Sequence, residues 1–121
     1  MPYKKIAIVG AGNIGATLAH LILQRRLADV VLIDIAEGMT QGKALDLCQA
    51  AALDGIDLGA AATTDYQALS QANVVIVTAG IPRKPGMSRD DLLQINSTII
   101  QTVGHHIRQY CPEAFVIVVT N

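Results

Sequence analysis

The sequence predicts a single α/β domain built on a doubly wound, mainly parallel sheet, and three observations point to it. Short aliphatic runs alternate with longer segments of helical periodicity, which is the pattern of parallel strands joined by helical crossovers. At 121 residues the chain has room for one hydrophobic core. Hydrophobic residues make up 51% of it and charged residues 16%, a balance that suits strands covered on both faces.

The predicted strands are short aliphatic runs. Val74–Val77 is the clearest, because all four of its residues are β-branched. Ala60–Ala62 is the least distinct, since it lies in a stretch with few structural signals. In chain order the predicted strands are Lys5–Val9, Val30–Ile33, Ala60–Ala62, Val74–Val77 and Phe115–Val119.

Three helices and one helical turn are predicted between these strands. They are Asn13–Arg26, Gly38–Ala52, the turn Tyr66–Ser70, and Asp90–Tyr110. The first helix should carry two cations, Arg25 and Arg26, in its last turn, where they suit the helix dipole. Its predicted buried face is Ile14, Leu18, Leu21 and Ile22. The second helix repeats apolar residues at Met39, Ala44, Leu45 and Cys48, and the third begins with acids and ends before Pro112.

The first strand leads into a glycine-rich turn, Gly10-Ala11-Gly12-Asn13-Ile14-Gly15. Gly10 permits the tight turn, Gly12 lets the backbone approach a pyrophosphate, and Gly15 lets the next helix lie close to the strand. The helix that starts near Asn13 and Ile14 directs unpaired N–H groups and the positive end of its dipole towards the phosphates. The turn is therefore predicted to bind a dinucleotide.

Asp34 ends the second strand, nineteen residues after Gly15. A carboxylate at this spacing can accept hydrogen bonds from the adenosine ribose hydroxyls, and it would repel a 2′-phosphate. No arginine or lysine follows within eight residues, so NAD is predicted rather than NADP. The alternative is a glycine turn that only packs a helix against a sheet.

A basic loop follows the fourth strand, Ala79–Arg89, and carries Arg83, Lys84 and Arg89. Ligands of open α/β sheets bind beyond the carboxyl ends of the strands, so this loop is predicted to overhang the reactive end of the cofactor. Three cations in one loop repel one another unless an anion binds, which favours an anionic substrate. The alternative is a solvated basic surface loop.

Composition argues against other classes of function. A net charge of −1 offers no electrostatic footprint for nucleic acid or for an anionic membrane. No apolar run is long enough to span a membrane, and residues 1–5 lead into a strand rather than a signal peptide, so we expect a cytoplasmic protein. Cys48 and Cys111 are predicted to be buried thiols, and no metal site is expected.

Several motifs in order resemble the NAD-dependent malate dehydrogenases of the lactate/malate dehydrogenase superfamily, of the lactate-dehydrogenase-like type. The matching segments are 10–15, 34–38, 42–47, 78–80, 81–89 and 119–121, and the resemblance runs through all 121 residues. It implies a Rossmann domain, NAD as cofactor, and the interconversion of (S)-malate and oxaloacetate by hydride transfer, a step of the tricarboxylic acid cycle.

The resemblance also implies roles for individual residues. Arg83 corresponds to the arginine that pairs with the distal carboxylate of a dicarboxylic 2-hydroxy or 2-keto acid, where lactate dehydrogenases have glutamine. Arg89 corresponds to the catalytic arginine of a mobile loop, which polarises the ketone. Asn121 is implied to bind substrate and nicotinamide ribose. The cofactor cleft would further include Asp34, Thr78, Ala79, Gly80 and Asn96.

The family's catalytic histidine–aspartate pair and a further substrate arginine would follow Asn121. His20, His105 and His106 are expected at the surface or at helix ends, away from the reactive end of the cofactor. Because the chain stops after a strand expected to be buried, we expect a fragment that binds NAD but is nearly inactive without a substrate domain. The complete enzyme is expected to be a homo-oligomer assembled partly through Gly42–Ala52. The alternatives are a stand-alone NAD-binding module and the cofactor domain of a lactate dehydrogenase.

Overall fold

Parallel strands form one sheet at the centre of the structure, a computed structural model that describes residues 4–121. The strand order is β3-β2-β1-β4-β5. The strands are β1 (Lys5–Val9), β2 (Asp29–Ile33), β3 (Ala60–Thr63), β4 (Val74–Val77) and β5 (Phe115–Val118). In this order the chain changes direction between β1 and β4, which is where doubly wound sheets open a ligand crevice. Val9 lies opposite Ile33 and Val77, so three strands end at the same level beside that crevice.

Helices cover both faces of the sheet, which confirms the predicted fold class. On one face, α1 (Asn13–Gln24) and α2 (Glu37–Leu53) pack against a cluster that includes Ile8, Leu32 and Ile76. On the other face, α3 (Arg89–Tyr110) and a 3₁₀ turn (Tyr66–Leu69) pack against a cluster that includes Val31, Val75 and Val77. The side chains of β1, β2 and β4 alternate between the two clusters, as the pleat of a strand requires.

The predicted buried face of α1 is wrong in part. Ile22 is buried, but Ile14 is 57% exposed and Leu21 is also exposed. The residues that α1 buries are Gly15, Ala19, Ile22 and Leu23. The buried residues are small at the start of α1, at Gly15 and Ala19, because there the helix lies too close to the backbone at the end of β1 for larger side chains.

The predicted last turn of α1 is also wrong, because Arg25 and Arg26 lie beyond the helix. Arg26 has a left-handed backbone with φ of +54°. Its N–H donates to the Leu23 carbonyl at 3.0 Å, and the Leu27 N–H donates to the Ile22 carbonyl at 3.1 Å. These two bonds form a Schellman motif, which closes the helix one residue after Gln24.

The buried face of α2 is offset from the prediction. Ala44 is buried as expected, whereas Leu45 is 61% exposed and Met39 is exposed as well. Thr40, Leu47 and Ala51 complete the buried face. A polar residue enters this face because the Thr40 hydroxyl donates to the Ala36 carbonyl at 2.6 Å, which satisfies it inside the helix.

The two cysteines differ in burial. Cys111 is buried, as predicted, whereas Cys48 is half-buried. The Cys48 Sγ lies 3.1 Å from the Ala60 carbonyl oxygen and 3.3 Å from the Ala60 nitrogen, so this thiol joins α2 to β3. Burial raises the pKa of the Cys111 thiol, and the nearby Lys5 ammonium offsets part of that increase.

The start of α3 and the burial of β5 both differ from prediction. Ser88 caps α3: its Oγ accepts from the Asp91 N–H at 3.0 Å while the Asp91 carboxylate accepts from the Ser88 N–H at 3.0 Å. β5 is exposed along its whole length, because among the described residues this edge strand makes extensive contacts only with β4. No helix in residues 4–121 is long and apolar enough to cross a membrane.

Candidate functional site

The glycine turn joins the end of β1 to α1, and Gly10 is the residue that makes it possible. Gly10 has φ of +108°, a conformation that side chains disfavour. Its N–H donates to the Ile33 carbonyl at 2.8 Å, which ties the turn to the end of β2. A Cβ at Gly10 would lie 2.6 Å from the Thr78 Oγ1 and 2.7 Å from the Ala79 nitrogen, so the turn presses against the segment after β4.

The other two glycines of the turn face different surroundings. A Cβ at Gly15 would lie 1.9 Å from the Gly10 carbonyl oxygen, so only glycine lets α1 approach β1 this closely. A Cβ at Gly12 would meet no atom within 4 Å, and Gly12 lines the open cleft beside the turn. The predicted close approach of a ligand to the backbone therefore has open space at Gly12.

Asp34 lies at the end of β2 and holds two backbone groups. Its Oδ2 accepts from the Ala11 N–H at 2.6 Å, and its Oδ1 accepts from the Ala36 N–H at 3.0 Å. Each carboxylate oxygen can accept a second hydrogen bond. The acid predicted as a ligand group is thus also a structural anchor of the glycine turn, a second role that the spacing alone did not reveal.

Lys43 reaches the same turn from α2, and the sequence prediction missed it. Its Nζ donates to the Ala11 carbonyl at 2.6 Å, across 32 residues of sequence. Lys43 is half-buried, and this hydrogen bond holds its ammonium at the turn. No local motif signals this contact, because it depends on how α2 packs beside α1.

A cleft of about 400 Å³ opens above the ends of β1, β2 and β4. It brings together the predicted cofactor residues Gly10, Gly12, Asp34, Thr78, Ala79 and Gly80. Ile33, Met39, Ile99 and Thr102 add to its wall, so the cleft is apolar apart from Asp34, the threonines and Tyr66. An apolar cleft with a few placed polar groups is what a small-molecule site requires.

Tyr66 is a wall residue that sequence analysis did not assign to the site. Burial raises the pKa of its hydroxyl, and the Asp34 carboxylate raises it further. The His106 ring stacks on Tyr66 with 4.0 Å between ring centroids and an interplanar angle of 4°. His106 therefore supports the cleft wall from α3, whereas His105 is exposed on the same helix.

Asn96 holds the start of the basic loop to the end of the chain. It is 4% exposed, and its Oδ1 accepts from the Ile81 N–H at 2.9 Å. Its Nδ2 donates to the Ile81 carbonyl at 3.2 Å and to the Asn121 carbonyl at 2.7 Å. Both amide hydrogens are therefore used within the protein, and the cofactor role implied for Asn96 stays a prediction.

A second, wide cavity of about 780 Å³ lies beside the loop that follows β4. It brings Arg83, Arg89 and Asn121 together, and Leu92 and Leu93 form its apolar side. The Arg83 Nε donates to the Met87 carbonyl at 3.1 Å. Within residues 4–121, no carboxylate forms an ion pair with either arginine. Asp90 also lines this cavity, but it forms no ion pair with either arginine, so both guanidinium groups are left for an anionic ligand.

In residues 4–121 no group of three or more histidine, cysteine, aspartate or glutamate side chains could hold a metal ion. His20 lines a separate shallow surface depression between α1 and α2. The implied roles of Arg83, Arg89 and Asn121 stay predictions, although these residues now share one cavity.

The fold and cleft are those of a Rossmann-type dinucleotide-binding domain: a doubly wound parallel sheet, a glycine turn after β1 and an acid after β2. The family described as lactate/malate dehydrogenase, NAD binding domain, matches residues 4–121. The chain therefore belongs to the lactate/malate dehydrogenase family, and the matched residues are its NAD-binding domain.

Individual relatives agree with this assignment. The chain is 62% identical over 121 residues to the malate dehydrogenase of Francisella tularensis subsp. novicida, which covers all of this chain and 38% of that protein. The Cryptosporidium parvum malate dehydrogenase structure is 49% identical with a TM-score of 0.90, covering 98% of this chain and 37% of that one. The lactate dehydrogenase of the same organism, complexed with lactic acid and β-nicotinamide adenine dinucleotide, is 44% identical with a TM-score of 0.93, covering 100% and 38%. The chain thus spans under two fifths of the length of these relatives.

Proposed function

We propose that this domain binds NAD in the cleft above β1, β2 and β4 for a malate dehydrogenase. The observation that carries the NAD assignment is the joint position of Gly12 and Asp34 on one cleft, with open space above Gly12. Gly12 and the first turn of α1 would receive the pyrophosphate, since unpaired N–H groups and the helix dipole favour anions there. Asp34 would accept from the adenosine ribose.

The Asp34 carboxylate supports NAD over NADP by charge. A 2′-phosphate beside it would place two anions together. Residues 35–42 contain no cation, and the Lys43 ammonium that follows them is engaged by the Ala11 carbonyl. The apolar wall of Ile33, Met39 and Ile99 suits the faces of an aromatic ring system. When bound, the oxidised cofactor would accept a hydride and the reduced cofactor would donate one, and the chain's own residues would hold and orient either form.

Isothermal titration of the 121-residue chain with NAD and NADP tests this assignment. We expect NAD to bind more tightly than NADP. Asp34→Asn removes the charge while keeping one acceptor for the Ala11 N–H, so we expect NAD affinity to fall about tenfold and the preference over NADP to shrink. Asp54→Asn, at an exposed acid after the last turn of α2, is the matched control. An unchanged NAD-to-NADP ratio in Asp34→Asn would refute the role of this acid.

The malate assignment depends on the second cavity. Malate and oxaloacetate carry two carboxylates, and a dehydrogenase must bind the distal one as well as polarise the reacting oxygen. Arg83 and Arg89 supply two guanidinium groups on one cavity, and neither is paired with a carboxylate of residues 4–121. Bidentate pairing of a guanidinium with a carboxylate suits Arg83, and stabilisation of charge on the reacting oxygen suits Arg89.

A chimera tests this assignment, because the chain matches 38% of its Francisella relative. Residues 1–121 replace the corresponding part of the Francisella tularensis subsp. novicida malate dehydrogenase, and reduction of oxaloacetate and pyruvate by NADH is measured. We expect Arg83→Gln to lower kcat/KM for oxaloacetate about 30-fold. This corresponds to a loss of about 2 kcal/mol of transition-state stabilisation, the size of a charge-assisted hydrogen bond. Pyruvate reduction should lose much less.

Lys84→Gln removes the neighbouring charge of the same loop and serves as the matched control. Equal losses on oxaloacetate and pyruvate would assign Arg83 to general positioning of the loop. A chimera that prefers pyruvate before mutation would favour a lactate dehydrogenase. A folded chimera that binds NAD without reducing either acid would favour a stand-alone NAD-binding module.

The setting of this activity is part of the same proposal. We place it in the cytoplasm, in the tricarboxylic acid cycle, and in a homo-oligomer. The exposed apolar residues Leu45 and Leu53 on α2 support self-association through that helix. Sedimentation velocity of the chain and of Leu45→Glu tests it, because a monomer in both would remove the support.

A further inference from the structure

Ala11, in the middle of the glycine turn, is held at both of its backbone polar groups by opposite charges. The Asp34 carboxylate accepts from its N–H at 2.6 Å, and the Lys43 ammonium donates to its carbonyl at 2.6 Å. One side chain comes from the end of β2 and the other from α2. The turn is therefore held by hydrogen bonds from the end of β2 and from α2, two elements outside the glycine motif.

The contact with Lys43 has a geometric consequence for Gly12. The Ala11 carbonyl and the Gly12 N–H belong to the same peptide plane and point in opposite directions in a trans peptide. No cis peptide occurs in residues 4–121. Fixing the Ala11 carbonyl on Lys43 therefore directs the Gly12 N–H away from α2.

The Gly12 N–H is a donor left for a ligand, directly before the unpaired N–H groups of α1. Gly12 lines the cleft, and a Cβ there would meet no atom within 4 Å. No protein acceptor in residues 4–121 takes this N–H. By contrast, the neighbouring Gly10 carbonyl is satisfied by the Thr78 hydroxyl at 3.0 Å. The polar backbone groups of Gly10 and Ala11 thus have protein partners, whereas the Gly12 N–H joins the unpaired N–H groups of the first turn of α1 as a donor for a ligand.

We propose that Lys43 is a positioning residue for the cofactor's pyrophosphate. This inference rests on the NAD binding proposed above. Lys43 orients the Ala11–Gly12 peptide so that the Gly12 N–H donates to a phosphate oxygen, and this half-buried residue adds a positive charge beside the Ala11 carbonyl. In this proposal Asp34 accepts hydrogen bonds from the ribose, and Lys43 orients the N–H that donates to the phosphate. Both side chains also hydrogen-bond to the backbone of Ala11.

The test compares NAD, ADP and adenosine binding by calorimetry to the 121-residue chain. We expect Lys43→Met to weaken NAD and ADP about tenfold, the size of one oriented hydrogen bond, and adenosine less than about twofold. Lys43→Arg can still donate to the carbonyl and should restore NAD affinity to within about threefold of wild type. Lys4→Met removes the same charge at an exposed position and should bind all three ligands as wild type does.

The outcomes separate this inference from the proposal on which it rests. Wild type that fails to bind NAD refutes the proposed function, and the role of Lys43 with it. Wild type that binds NAD while Lys43→Met binds it equally well refutes the role of Lys43 alone. Equal losses on adenosine and ADP would also overturn it, because a merely structural lysine would affect both. If Lys43→Met does not fold, Lys43→Gln replaces it, and the ¹⁵N-resolved Gly12 amide must lose its ADP-induced shift.

Discussion

Gly15→Ala is the substitution for which the structure predicts the clearest conflict between local and tertiary effects. A Cβ at Gly15 would lie 1.9 Å from the Gly10 carbonyl oxygen, and real Cβ atoms essentially never approach a neighbour closer than 3.0 Å. α1 must therefore move by at least about 1.1 Å, away from a backbone atom that cannot rotate out of the way. That movement would disturb the packing of Ala19, Ile22 and Leu23 against the sheet.

The magnitude follows from two opposing terms. Replacing glycine by alanine inside a helix favours folding by up to about 1 kcal/mol. Overpacking of a tight contact costs about 1–3 kcal/mol, and the depth of this overlap places it at the upper end. We expect a net loss of about 2 kcal/mol in the free energy of unfolding, or roughly 8 °C in Tm for a domain of this size.

Gly104→Ala is the matched control, because Gly104 lies inside α3, is exposed, and a Cβ there would meet no atom within 4 Å. At that position the helix propensity acts alone, and we expect stabilisation of up to about 1 kcal/mol. Thermal and urea unfolding followed by circular dichroism measure both variants, and calorimetry measures their affinity for NAD. Gly15→Ala should also bind NAD more weakly, since the glycine turn moves with α1. A Gly15→Ala protein as stable as wild type would refute the close-packing explanation.

Two further predictions concern the wall of the cleft and the loop beside it. Because burial and the Asp34 carboxylate raise the pKa of Tyr66, its stabilising effect is complete below the ordinary tyrosine pKa of about 10 and is lost as pH rises through the folded-state pKa. Wild-type stability should therefore fall more steeply than that of Tyr66→Phe above pH 10 in urea titrations, and parallel slopes would contradict this. Asn96→Ala leaves the Ile81 N–H and two carbonyls without their side-chain partner, so we expect a loss of about 2 kcal/mol against Ser97→Ala as an exposed control. A loss below about 0.5 kcal/mol would show that water replaces Asn96.

Much of the fold could be read from local patterns. β1 and β4 have the predicted bounds, because each is a compact aliphatic run that ends at a glycine turn or at a polar residue. The orientation of α1 could not be read, since Ile14, Leu18, Leu21, Ile22 and Leu23 leave apolar residues on more than one side. The contact between Gly15 and Gly10 decides which side faces the sheet.

Some residues of the site could also be predicted from local sequence, and others could not. Gly10, Gly12 and Asp34 were predicted because short sequence segments determine turn geometry and strand ends, and these three residues line one cleft. Tyr66 was not assigned to the cleft, and Asn96 was assigned without its actual partners, because their contacts join elements that are distant in sequence. No period or spacing encodes such contacts.

The sequence by itself determined the dinucleotide turn, its acid and the parallel order of helices and strands. These features depend on glycine backbone freedom, on strand-end geometry and on hydrophobic periodicity, all of which act over a few residues. Only the tertiary structure decided that Asp34 and Lys43 hold Ala11 from two sides, and that Arg83 and Arg89 share a cavity. Long side chains reach such partners only after helices have packed on the sheet, so packing completes the site that the sequence begins.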